Sequence, residues 1–178
     1  MMVQWRQMND ATRTTLARRY ADTPMARVIQ WIIDHASTEP RMGSADFHLW
    51  APVNATAVLA GWMPLYDLDC SLGHRVSPAY TAAEQAMWAQ LTTLRADAVL
   101  IRGDTIMVIE IKPLGGAELL GQLLLGRQHA QQTPLAHGSV QWVGLCGRID
   151  AHAGTLLADA NILLLQADDE DQIKTALA

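Results

Sequence analysis

Two runs rich in Val and Ile, residues 98–101 and 105–111, flank the dipeptide Gly103-Asp104, and together they constrain the fold more than any other feature of the chain. A Gly-X pair between β-branched apolar runs marks a two-residue hairpin turn. The turn sets a register in which Arg102 faces Thr105, Ile101 faces Ile106, Leu100 faces Met107, Val99 faces Val108 and Ala98 faces Ile109. One step further, Asp97 faces Glu110. Side chains alternate across a strand, so Val99, Ile101, Ile106, Val108, Glu110 and Lys112 share the face of Asp97, while Ala98, Leu100, Met107, Ile109 and Ile111 line the other.

Three charges inside apolar strands need a physical reason. Carboxylates opposed across two strands repel and destabilise a sheet unless a cation lies between them. In one reading that cation is a divalent metal ion: two hard carboxylates with few His or Cys nearby favour Mg²⁺ or Mn²⁺ over Zn²⁺, and Lys112 then stands beside the metal. In the other, Lys112 itself neutralises one carboxylate in a partly buried ion pair. The chain holds five Glu and two Lys in 178 residues, so a Glu-x-Lys triplet arises by chance in roughly one such chain in twenty. That rarity weighs toward the first reading.

The length suits one domain with a single substantial core, and 50% hydrophobic content argues against disorder. A polar, Arg-rich helix is expected over 9–20, then a helix over 24–35, opened by Thr23-Pro24 and carrying Met25, Val28, Ile29, Trp31 and Ile32 as an apolar stripe. Strands are expected at 47–53 and 65–72, a helix over 77–94, the hairpin, a helix over 116–131, strands at 140–146 and 162–166, and a short helix from Asp168. In the 116–131 helix, Glu118, Gln122, Leu125 and His129 share a face, whereas Leu119, Leu120, Leu123 and Leu124 are packing residues. Gln122 can thus reach toward the hairpin's charged end, or lie solvated on the helix surface. The order of elements places helices on either side of a mixed sheet, with residues 1–45 a helical extension and 46–178 the α/β core.

Several chemistries are disfavoured. The six His form no His-x-x-x-His pair and no His-Glu-x-x-His motif, against a zinc hydrolase. Cys70 and Cys146 lie far apart without metal spacing, no Gly-rich phosphate loop with Lys-Ser/Thr is present, and the start lacks the apolar core of a secretory signal. Apolar runs are too short to span a bilayer, so a cytoplasmic protein with reduced thiols and no membrane partner is expected. Net charge is −5 but polarised: Arg6, Arg13, Arg18, Arg19 and Arg27 lie near the start, and Asp159, Asp168, Asp169, Glu170 and Asp171 near the end. Both runs read best as solvated helix surfaces. Glu84 reads as a surface residue, and Asp67 and Asp69 as one face of a strand near the charged cluster or at an exposed edge.

The sequence Asp97, hairpin, Glu110-Ile111-Lys112-Pro113, then a helix carrying Gly121-Gln122 resembles the PD-(D/E)XK nuclease superfamily, in particular its small phage-type members. The resemblance covers residues 65–165 in arrangement and is specific over 95–122. It implies a three-layer restriction-endonuclease-like core. Asp97, Glu110 and the carbonyl of Ile111 would bind Mg²⁺ or Mn²⁺, Lys112 would be the catalytic lysine and Gln122 a residue orienting water or phosphate. The activity implied is metal-dependent hydrolysis of DNA phosphodiester bonds. Its alternative is a phage virion or assembly protein that keeps the fold with little or no catalysis, bound to phage structural proteins and virion-associated. Two positions depart from the pattern. Gly126 stands where a Tyr often follows the Gln, and no acidic residue clearly fills the helical Glu position before the first core strand.

Overall fold

A computed structural model describes residues 10–37, 40–55, 59–70, 79–85, 87 and 94–177. Five strands form one open mixed sheet in chain order: β1 (Met63–Asp69), β2 (Arg95–Arg102), β3 (Thr105–Gly115), β4 (Ser139–Ile149) and β5 (Leu163–Gln166). The first three are antiparallel neighbours, while β3, β4 and β5 run parallel. Parallel neighbours need a crossover. Helices α4 (Ala117–Ala130) and α5 (Ala151–Asp159) supply the two, with a short 3₁₀ turn at Pro134–His137 leading into β4.

The hairpin forms in the register set by Gly103-Asp104, from Arg102 opposite Thr105 to Ala98 opposite Ile109. Gly103 adopts φ +56, the left-handed conformation that glycine reaches without steric cost. Face assignments follow the alternation. Val99, Ile101, Ile106 and Val108 pack in one core with α1 (Asp10–Tyr20), α2 (Ala26–His35) and α4, through Leu16, Ile29, Ile32, Leu119 and Leu123. Ala98, Leu100, Met107, Ile109 and Ile111 pack in a second core on the other face. There they meet α3 (Ser44–Ala55) through Trp50 and Val53, and α6 (Glu170–Leu177) through Ile173 and Leu177. The sheet is therefore buried on both faces.

Residues 47–53 are not a strand. They lie inside α3, although Pro52 forfeits a helical hydrogen bond. Pro52 itself points to solvent, while Trp50 and Val53 are buried against the sheet. Their burial, worth about 1.5–3 kcal/mol per large apolar side chain, offsets the lost bond. Helix α5 was not anticipated, although its signal is local. Asp150 accepts hydrogen bonds from the backbone N–H groups of His152 and Ala153, both at 3.0 Å, as a helix N-cap does. Leu124, read as a packing residue, is 40% exposed. Of the helix expected over 77–94, only 82–85 and 87 are described in helical conformation, and most of the remainder lies outside the described residues.

Candidate functional site

The site is built where the hairpin opens. The β2–β3 ladder ends at Ala98 and Ile109, one step short of the expected Asp97–Glu110 pair. Instead the Ile111 N–H donates to the Asp97 carboxylate at 2.8 Å. A side chain has taken over a backbone donor that the ladder would otherwise use. In an extended strand the N–H and C=O of one residue leave on the same edge, so the Ile111 carbonyl also faces the edge that Asp97 occupies.

Glu110 and Lys112 lie on the α4 face, as alternation requires. Their side chains meet in an ion pair, Nζ to Oε1 2.9 Å, with the glutamate 5% and the lysine 15% exposed. Burial pushes the Glu110 carboxyl up to about 8, and the charge of Asp97 pushes the same way, against the pull of Lys112. Burial likewise raises Asp97 to about 6, opposed by the Ile111 hydrogen bond and by Lys112. Burial pulls Lys112 down, but Glu110, Asp97 and Asp46 together outweigh it and the ammonium holds its proton more tightly than an ordinary lysine. Two carboxylates thus share one cation in a desolvated place. The cluster is short of positive charge.

Asp46, in the first turn of α3, adds to that shortage: its charge acts on Asp97, Glu110 and Lys112 alike. Sequence reasoning missed it because 47–53 was read as a strand. With α3 recognised as a helix, Asp46 is an acidic side chain on the helix preceding the first strand of the sheet. Asp67 also acts on Asp97 and belongs to the neighbourhood. Asp69 lies further along the strand, beside Cys70, and Glu84 is exposed and hydrogen-bonded to Thr81.

Helix α4 crosses above Glu110. Gln122 and Glu110 line one void of about 10 Å³, at the lower limit of what admits a single water. The Gln122 Oε1 is buried without a hydrogen-bond partner among the described residues. Of the residues expected on its face, Glu118 and Leu125 are exposed, so Gln122 turns inward while the helix ahead of it meets solvent. Gly126 has a packing reason: a Cβ there would lie 2.9 Å from Trp142 Cζ3, so the indole fills the space that a larger residue would need. The donor chemistry suits a hard divalent cation. Asp97, Glu110 and the Ile111 carbonyl offer oxygen, and burial holds the Cys70 thiol up at about 12. Among the described residues no group of three or more His, Cys, Asp or Glu is drawn together tightly enough to hold a metal by side chains alone.

Comparison with protein-family models, with curated proteins and with solved structures finds no match. Among the described residues no helix is long and apolar enough to cross a membrane.

Proposed function

We propose that the chain is a nuclease of the PD-(D/E)XK type, a Mg²⁺- or Mn²⁺-dependent phosphodiesterase acting on DNA through a restriction-endonuclease-like core. The observation that carries this reading is the open end of the hairpin, where Asp97 and Glu110 are buried together beside the Lys112 ammonium. Asp97, Glu110 and the Ile111 carbonyl would hold the cation, which when bound supplies Lewis-acid polarisation of a phosphate oxygen and lowers the pKa of water. Lys112 keeps its proton and presents it to charge developing on the phosphate, where a partly desolvated ammonium is most effective. The Gln122 amide, its oxygen buried without a protein partner, orients a water through that oxygen. Asp97 is positioned by the Ile111 N–H rather than by solvent, so its carboxylate is fixed before substrate arrives.

A second reading, a virion or assembly protein that keeps this fold without catalysis, has one observation in its favour: Lys112 already occupies a Glu110 oxygen that a metal would use. The two readings part on one assay. Purified chain is incubated with single-stranded, duplex and branched DNA and with RNA, in Mg²⁺, Mn²⁺ or EDTA. The nuclease reading expects cleavage with either metal and none in EDTA. Inertness on every substrate transfers the conclusion to the assembly reading.

A further inference from the structure

Two arginines at the rim of this site share one carboxylate. Asp67 lies on β1 opposite Asp97, between the pairs Tyr66–Ala98 and Leu68–Ala96. It adopts φ +53, a left-handed conformation uncommon outside glycine, which Asp tolerates better than most residues. Strain of this kind persists where surrounding structure enforces it, and it gathers at functional sites. Its result here is specific. The Asp67 Oδ2 receives Arg95 Nη1 at 3.1 Å and lies 3.6 Å from Arg41 Nε, so two guanidinium groups converge on one oxygen atom.

The convergence leaves donors exposed. Both guanidiniums meet at the one Asp67 oxygen, while Asp69 stands opposite Arg95 in the strand register. The side chains of Arg41 and Arg95 are 67% and 42% exposed, against 14% for the aspartate that gathers them. Each guanidinium carries five N–H donors in a fixed fork, most of which point away from a single shared oxygen. Forked donors of this kind match the paired oxygens of a phosphate.

We infer that Arg41 and Arg95, gathered by Asp67, form a phosphate-binding fork that grips the DNA backbone at a phosphodiester neighbouring the one presented to Lys112. The inference rests on the nuclease reading for the identity of its ligand. It assigns the two arginines a positioning role, in which they register the strand and leave the chemistry to the inner cluster. Arg95 is two residues from Asp97 on the same strand, so a backbone held there is tied to the carboxylate pair through rigid sheet.

The test uses the full chain and reads binding apart from cleavage. Dissociation constants for a fluorescent DNA are measured in EDTA over a range of salt, for wild type and for Arg41→Ala/Arg95→Ala. Thermal melting establishes that both are folded. The fork predicts at least tenfold weaker binding for the double variant, and a plot of log affinity against log salt shallower by about 1 to 2, as expected for one or two lost phosphate contacts. Cleavage kinetics in Mg²⁺ should show a raised KM with little change in kcat. Single Arg→Lys variants should recover the salt slope but not the affinity, because an ammonium restores charge without the fork. Wild-type affinity and slope in the double variant, with cleavage by the wild type, would overturn the fork and leave the nuclease reading standing. Absence of both binding and cleavage in the wild type would overturn the two together. Tight binding of inorganic phosphate that depends on both arginines, without competition against DNA, would reassign the fork to a free anion and overturn the backbone assignment.

Discussion

The two ends of the β2–β3 hairpin are made from similar residues and treat charge in opposite ways. At the turn, Arg102 donates to the Leu177 carbonyl at 2.9 Å and lays its guanidinium over the Trp62 ring, 4.4 Å from the centroid. The Tyr20 hydroxyl closes the same end on the Gly103 carbonyl at 2.6 Å. The cation is spread over a ring and a dipole, and the ladder runs unbroken to the turn. At the open end the ladder stops, a carboxylate replaces a carbonyl as acceptor for Ile111, and two acids compete for one lysine. A closed end stabilises the sheet. An open end with unbalanced negative charge is costly to the fold unless a cation offsets it.

The sharpest way to break that contrast is Lys112→Ala. Removing a transition-state ammonium should lower kcat for DNA cleavage by about a thousandfold, roughly 4 kcal/mol. The fold should survive, because Glu110, left without its cation, takes up a proton rather than remain a buried charge. Single-turnover cleavage beside a circular dichroism melt reads both quantities. Equal cleavage by wild type and variant would place the chemistry elsewhere.

Acidity gives the next largest effect. Glu110 rises from its ordinary 4.5 to about 8 and Asp97 from 3.8 to about 6 on folding. Folding therefore favours their protonated forms. That contribution is fully present below about pH 4 and is lost as pH climbs through about 8. Metal-free protein should thus lose unfolding free energy as pH rises between those limits, and Glu110→Gln should remove most of the slope. Denaturant melts in EDTA across the pH range check the sign. A slope of the opposite sign would mean that the carboxylates are stabilised as anions.

Cation binding should follow the same logic from the other side. Saturating Mg²⁺ or Mn²⁺ at pH 8, at about a hundred times its dissociation constant, would add about 2.7 kcal/mol, or roughly 5–10 °C in Tm for a chain of this size. Asp97→Asn should abolish the shift while keeping the fold, since the amide oxygen can still accept from Ile111. Identical metal responses in the two proteins would remove Asp97 from the binding set. The smallest effect belongs to the closed end: Tyr20→Phe deletes one hydrogen bond and should cost about 1 kcal/mol without altering the response to metal or pH.

The hairpin was legible because its determinants are local. Gly103-Asp104 dictates the turn, period-two alternation dictates the faces, and all of this lies within 18 residues of sequence. The resemblance at Asp97, Glu110, Lys112 and Gln122 was legible for the same reason, since the four sit on one hairpin and the helix that follows it. Residues 47–53 were not. Their apolar alternation and Pro52 imitate an extended segment, and only the packing of Trp50 against Tyr66 and the sheet decides for helix. With that helix went Asp46. Nor could the strand register reveal that Asp97 would capture the Ile111 N–H, or that Asp67 would gather Arg41 and Arg95 from 26 and 28 residues away. Alternation fixes which face a side chain leaves from. Where a ladder ends, which acceptor a stranded donor takes and how far burial shifts a carboxylate depend on solvent exclusion by distant segments, which exists only once the layers have closed over the sheet.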